Sequence, residues 1–373
     1  MLQDLLKTTK LEARPYQISI IQQCYDLFAG GETKSILVES PTGSGKSAIG
    51  LLLCKLLQNQ KAVTTKIGWI AHRRFLLEQA ITENLNKNIG AEIIPISAFE
   101  KNPPANLDML VVDEAVHDAT ASCSHIHNVI KPRLILGLSA FPQRTDRVKL
   151  CFDKTIKEAG IHRLIELGYL SKYHHYTITQ KWCPAEVFKF YMAEREKWGK
   201  TIAYFHTIVE CYEFQGLIKT AGLNCEVVTG QTKKSRQLHR FKNDPKINVL
   251  ANCMMLTEGF DMPALQTVFC RPSCKGLTIQ MAGRVFRKHP GITIKNVVQC
   301  SQTPWPFLRT ATPSTQYIWI GAEWRGLSPN NNAVVGQQQV LKAIAKINVI
   351  LPKTLSDRVS KRRTISERIQ NEE

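Results

Sequence analysis

Short, continuously apolar runs alternate with stretches of helical spacing along most of the 373-residue chain. Ile36-Leu37-Val38, Ile67-Gly68-Trp69-Ile70, Met109-Leu110-Val111-Val112 and Leu134-Ile135-Leu136-Gly137-Leu138 read as strands buried on both faces. Ala48 to Leu57 and the stretch opening at His72 carry a helical period, as do Ile18, Ile21, Tyr25, Leu27 and Phe28, with Pro15 suited to a helix start. This alternation over residues 36–140 predicts a parallel sheet covered by helices. A second alternation follows, with strands at Thr201-Ile202-Ala203-Tyr204-Phe205, Glu226-Val227-Val228, Ile247-Asn248-Val249-Leu250 and Thr267-Val268-Phe269, and a helix from Lys233 to Phe241. Leu167-Gly168-Tyr169-Leu170 predicts a turn into a strand, and the polar stretch 171–186, with Pro184, predicts the connection between domains. Beyond residue 301 the pattern changes to tryptophans among Thr, Pro and Asn, then a predicted helix from Gln337 to Ile347 and a charged tail past Lys353. The expected architecture is α/β: an N-terminal domain over 1–175, a second over 176–300 and a small extension over 301–373. Trp305, Trp319 and Trp324 read as packing that extension, with stacking on bases as the alternative.

A hydrophobic fraction of 43% is enough for real cores, so disorder is excluded as the main state. The 49 basic residues against 31 acidic ones leave a net charge of +18, which points to a polyanionic partner, nucleic acid first; solubility alone is the other reading. The 11 cysteines form no C-x-x-C pair, which argues against zinc ribbons and for reduced, buried thiols. The segment Met1 to Lys7 lacks the basic start and apolar stretch of a signal peptide, and no run is long enough to span a membrane. A cytoplasmic protein without a membrane partner is expected.

Between the first predicted strand and helix lies Ser40-Pro41-Thr42-Gly43-Ser44-Gly45-Lys46-Ser47, a phosphate loop of the form G-x-x-x-x-G-K-S/T with Ser40 in the first glycine's place. Its backbone N–H groups and the helix N-terminus attract phosphate. Lys46 supplies a point charge for the β- and γ-phosphates, and the Ser47 hydroxyl suits Mg²⁺. Asp113-Glu114 ends a buried strand, where parallel sheets bind ligands. Asp113 can hold Mg²⁺ through water and Glu114 can polarise a water for attack; the alternative is a pair of helix-capping acids. Tyr16 and Gln17 could stack on and read an adenine, or simply open a helix. His72, Arg73 and Arg74 could hold a nucleic-acid phosphate, or form a solvated turn.

Taken in order, these segments resemble a superfamily 2 helicase of the DEAD/DEAH type over about residues 14–290. Arg14-Pro15-Tyr16-Gln17 resembles the adenine-sensing segment, residues 40–47 motif I, Ile70 through Gln79 motif Ia, Asp113-Glu114-Ala115-Val116 motif II and Ser139-Ala140-Phe141 motif III. Ile202-Ala203-Tyr204-Phe205 resembles motif IV, Leu256-Thr257-Glu258-Gly259-Phe260-Asp261-Met262-Pro263 motif V and Gln280-Met281-Ala282-Gly283-Arg284-Val285-Phe286-Arg287 motif VI. The resemblance implies two tandem RecA-like domains, ATP and Mg²⁺ as cofactors, and a catalytic set of Lys46, Asp113, Glu114, Gln280, Arg284 and Arg287. It implies nucleotide contacts from Arg14, Tyr16, Gln17, Thr42, Gly43, Ser44, Gly45, Lys46, Ser47, Gly259 and Asp261, with Ser47 and Asp113 at the metal. It places His72, Arg73, Arg74 and Thr257 on nucleic acid. Arg284 and Arg287, three residues apart, are expected on one helix face, reaching across to the γ-phosphate.

Two positions depart from the family: Val116 stands where motif II ends in His, and Phe141 where motif III has Thr. In the family those positions couple hydrolysis to nucleic acid. ATP hydrolysis is therefore expected to persist while coupling is altered. The implied function is an ATP-dependent helicase or translocase on single-stranded, forked or branched DNA, of the compact phage or bacterial kind. An RNA helicase, or a nucleic-acid-binding module with weak or uncoupled ATPase, is the alternative.

Overall fold

The computed structural model describes residues 1–59, 66–117, 121–140, 150–230, 232, 234–253, 256, 260–320 and 322–327. The first lobe holds β1 (Ser35–Glu39), β2 (Ile67–Ala71), β3 (Ile93–Ser97), β4 (Met109–Asp113), β5 (Leu134–Ser139) and β6 (Lys154–Ile156). Its helices are α1 (Leu2–Thr8), α2 (Pro15–Ala29), α3 (Lys46–Asn59), α4 (Arg74–Asn86), α5 (Ala121–Ile130) and α6 (Ile161–Glu166). The second lobe holds β7 (Lys172–Ile178), β8 (Lys200–Tyr204), β9 (Asn224–Val228), β10 (Ile247–Asn252), β11 (Leu265–Cys270), β12 (Ile294–Cys300), β13 (Thr315–Ile320) and β14 (Glu323–Leu327). Its helices are α7 (Pro184–Ala193), α8 (Arg195–Trp198), α9 (Ile208–Thr220), α10 (Lys234–Asn243) and α11 (Lys275–Gly283).

The apolar runs become strands because both sheet faces are covered. Every residue of β2 and β4 is buried. The first sheet has the order β3-β2-β4-β5-β1-β6 and the second β14-β13-β7-β12-β11-β8-β10-β9. All pairings within the first sheet are parallel, so its strands present their C-terminal ends along one edge. The same holds for β7 to β13 in the second. Each sheet is thus a RecA-like platform with its loops for chemistry gathered at one rim.

Two expectations from the sequence change. The stretch 171–186 is not a linker: residues 172–178 form β7, which pairs with β12 and β13 inside the second sheet, and Pro184 is the first residue of α7. Proline suits that position because the first helical N–H has no partner to lose. Residues 301–320 are not separate either, since β13 extends the second sheet beside β7. Trp319 is 4% exposed and meets Phe190 and Trp324 edge-on, so these two tryptophans pack the second lobe's aromatic core. Met1–Trp324 forms one compact unit. The predicted helix Gln337 to Ile347 and the charged tail lie outside the described residues.

Candidate nucleotide-binding cleft

β1 ends at Glu39, and the chain turns through residues 40–45 into α3. Gly43 and Gly45 both have φ of +83°, in the left-handed region that side chains disfavour. At Gly45 space is a second constraint, because a Cβ there would stand 2.5 Å from Gln17 Nε2. Ser40 explains its own departure from the motif. Its buried Oγ donates to Ser44 Oγ at 2.7 Å, and Ser44 Oγ donates to the Pro41 carbonyl at 2.6 Å, so the serine pins the base of the loop. Lys46 is 8% exposed, with Nζ 4.0 Å from Glu114 Oε1.

Asp113 ends β4, which lies two strands from β1 with β5 between them. Val38 and Asp113 both pair with Leu138, so loop and carboxylate stand at one level, about 10 Å apart at ordinary strand spacing. Asp113 and Glu114 are both buried. Burial, and then the charge of Glu114, push the Asp113 carboxyl up to about 7, against the pull of Lys46. Glu114 adopts φ of +54°, the kind of local strain that persists where surrounding structure imposes it, often at working sites. Two carboxylates facing one lysine leave a deficit of positive charge that a divalent ion beside Ser47 and Asp113 fits. Thr42 Oγ1 is buried, lines the same cleft and has no hydrogen-bond partner among the described residues, which fits a bound phosphate.

The cleft has a volume of about 550 Å³ and is lined from the second lobe by Asp261, Arg284 and Arg287. The two arginines do not share a helix face as expected. α11 ends at Gly283, Arg284 is its cap and Arg287 lies in the turn beyond. They still converge, since both guanidinium groups donate to the Phe260 carbonyl at 3.3 Å. Arg287 is also ion-paired with Asp261. Gly283 packs directly on Thr42, so motifs more than two hundred residues apart in sequence touch.

Sequence reasoning missed two contributors. One is α4, whose Phe75, Gln79, Thr82 and Glu83, with its C-cap Lys87, line the cleft, so that part of the segment expected on nucleic acid faces the nucleotide site instead. Burial holds the Glu83 carboxyl above its ordinary range, against Lys87 and Arg287 and with Asp261 adding to the rise. The i, i+4 recurrence of Gln79, Glu83 and Lys87 was the available signal. The other is Tyr169, just before β7. Its ring lies 5.6 Å from that of Tyr16, and the Arg14 guanidinium sits 5.1 Å over it. Tyr16 OH and Gln17 Nε2 donate to the Ser44 carbonyl at 2.6 and 2.8 Å, and Gln17 Oε1 accepts the Arg14 N–H at 2.8 Å. Arg14, Tyr16, Gln17 and Tyr169 thus form one cluster fastened to the phosphate loop.

Other predicted residues stand apart. Gln280 is buried in α11 but is not among the residues lining the cleft. His72 meets Phe99 edge-on, Arg73 precedes α4 as its N-cap and Arg74 is exposed at its start. Val116 is half-buried in a short 3-10 turn over Ala115–His117. Thr257, Gly259 and Phe141 lie outside the described residues. Among the described residues there is no cluster of three or more metal-binding side chains, and no helix is long and apolar enough to cross a membrane.

Residues 10–98 match the family "Type III restriction enzyme, res subunit" and residues 183–289 the family "Helicase conserved C-terminal domain". The chain is 25% identical over 342 residues to the inferred ATP-dependent helicase IRC3 of Saccharomyces cerevisiae, covering 74% of this chain and 49% of that protein. The chain spans about half to two thirds of the length of the curated relatives it matches. In fold it is similar to the ATP-dependent Type ISP restriction-modification enzyme LlaBIII bound to DNA, with a TM-score of 0.59 at 15% identity over 79% of this chain and 28% of that one. It is likewise similar to S. cerevisiae Dbp5 bound to RNA and ADP BeF3, with a TM-score of 0.55 at 14% identity over 75% of this chain and 82% of that one.

Proposed function

The chain belongs to the superfamily 2 helicases, and from that premise we propose that it is an ATP-dependent helicase or translocase acting on DNA. The observation that carries this reading is that Lys46, Asp113 and Glu114 of one lobe and Arg284 and Arg287 of the other line a single cleft. Lys46 neutralises the β- and γ-phosphates, and the two arginines offer planar donors to the γ-phosphate from the opposite wall. Glu114 orients and deprotonates the attacking water. Mg²⁺ at Ser47 and Asp113 would spread the charge that develops on the phosphates. Because the arginines come from the second lobe, hydrolysis depends on closure, and reopening can be turned into movement along a strand. The net charge of +18 and a relative in fold bound to DNA support the choice of partner. A second reading, a helicase-fold module whose ATPase is not governed by nucleic acid, is favoured by Val116 in place of the motif II histidine.

The test is the rate of ATP hydrolysis without nucleic acid and with single-stranded DNA, forked duplex DNA or RNA. DNA is expected to stimulate most, and Lys46→Ala and Glu114→Gln to lower the stimulated rate by at least about 100-fold. Unchanged turnover in both variants removes the assignment. Stimulation by RNA alone shifts the substrate, and a wild-type rate indifferent to every nucleic acid supports the second reading.

A further inference from the structure

Trp305 differs from Trp319 and Trp324: it is half-exposed and lies beyond the end of β12, whereas Trp319 is buried and Trp324, although also half-exposed, packs against the aromatic core. Lys275 Nζ and the Arg309 guanidinium each lie 5.3 Å from its ring centre, and both residues are exposed. The ring is held in place. Pro304 and Pro306 flank it in the chain, and its Nε1 donates to Thr310 Oγ1 at 3.3 Å. Two residues on, Phe307 is fully buried, and its N–H donates to Gln299 Oε1 at 2.7 Å. The Ser273 N–H donates to Thr303 Oγ1 at 3.3 Å, which ties the loop after β11 to the loop after β12. Arg271 adds a further cation at the end of β11, donating to His206 Nδ1 beyond β8 at 3.0 Å. An indole beside two exposed cations, at the C-terminal rim of a parallel sheet, sits where such sheets bind ligands.

We propose that Trp305, Lys275 and Arg309 form a platform on which one base of a single-stranded nucleic acid stacks while the two cations hold its flanking phosphates. The proposal rests on the helicase reading. Exposed cation–π contacts are worth about two- to fivefold in an equilibrium constant, whereas a base stacked on an aromatic ring is worth about five- to a hundredfold. A base therefore displaces a cation from the ring, and the freed cation stays within reach of phosphate. The platform also touches the engine. Phe307 stacks on Phe286 with ring centres 5.3 Å apart, and Phe286 lies between Arg284 and Arg287 in the chain. Lys275 opens the nine-residue helix whose cap is Arg284.

The test is fluorescence anisotropy of the full chain with labelled oligo-dT, oligo-U and a blunt DNA duplex, over a range of salt. Trp305→Ala is expected to weaken single-strand binding by about five- to a hundredfold and Trp305→Phe to recover much of it, with the duplex little affected. The double variant Lys275→Gln/Arg309→Gln changes exposed positions only and is expected to flatten the log–log salt slope by about 1.4. Loss on either single strand supports the platform, and the tighter-bound strand identifies its source. Wild-type binding with Trp305→Ala unchanged, equal loss on duplex, or an unaltered slope in the double variant overturns the platform and leaves the helicase reading standing. A wild-type chain that binds neither strand overturns both.

Discussion

Gly283 lies so close to Thr42 that a Cβ on the glycine would stand 3.1 Å from Thr42 Cβ and 3.3 Å from its Oγ1. Thr42 belongs to the phosphate loop and Gly283 to the helix whose cap is Arg284, so the two halves of the proposed site touch here. Both residues are buried, and neither has a flexible end that could swing aside. Gly283→Ala is therefore expected to hold the lobes apart by a few tenths of an ångström. Since a 1 Å misplacement can cost about 100-fold, a fall of about tenfold in kcat/KM for ATP is expected. Steady-state hydrolysis at saturating nucleic acid, with a thermal melt beside it, measures this. An unchanged kcat/KM would show that the contact loosens in the working state.

A different kind of prediction concerns Tyr169, which packs against the segment Arg14 to Gln17 that resembles the adenine-sensing segment. Its ring meets that of Tyr16 at a tilt of 59° and lies under Arg14, beside the Gln17 that is fastened to the phosphate loop. Losing one aromatic face is worth about 0.5–1.5 kcal/mol. Tyr169→Ala is expected to raise KM for ATP by about three- to tenfold with kcat nearly intact, and Tyr169→Phe to behave as wild type. A fall in kcat at unchanged KM in Tyr169→Ala would place the residue in lobe closure instead.

The elements that the sequence made legible are those whose pattern is set by burial alone. β1, β2, β4 and β5 are runs of apolar residues, and the phosphate loop and Asp113-Glu114 follow from their ends. β12 has no apolar run to mark it, because it interleaves Lys295, Asn296 and Gln299 with apolar residues, although all three are buried. The fold partners the first two individually: Lys295 Nζ donates to the Pro263 and Leu265 carbonyls at 2.7 and 2.6 Å, and Asn296 Nδ2 donates to Thr267 Oγ1 at 3.0 Å; Gln299 is bonded through Oε1 alone among the described residues, accepting the Phe307 N–H at 2.7 Å. No local pattern encodes partners that distant. β3 was obscured by Pro95, which an edge strand tolerates because one side of its backbone needs no ladder bond. In the site, motif residues could be named one by one, but the meeting of Gly283 with Thr42 and of Tyr169 with Tyr16 depends on how two lobes pack.

His175 carries the last prediction, on stability rather than turnover. It lies in β7, 2% exposed, with Nε2 3.1 Å from Gln299 Oε1. Burial lowers its pKa from 6.5 to about 4, with the Gln299 hydrogen bond opposing only in part. The imidazole is therefore neutral in the folded protein where the unfolded chain would already be protonated. Its contribution to stability is complete above pH 6.5, declines as the pH falls and is exhausted below about 4. Between pH 7 and pH 5 this one group is expected to cost about 2 kcal/mol. His174 and His206 are also held down by burial, so the wild-type curve contains more than one such loss. Urea unfolding of wild type and His175→Gln at both pH values isolates the term. The variant is expected to be less stable at pH 7 yet to lose about 2 kcal/mol less on acidification. Parallel pH curves for the two proteins would mean that the folded state admits a proton at His175 without penalty.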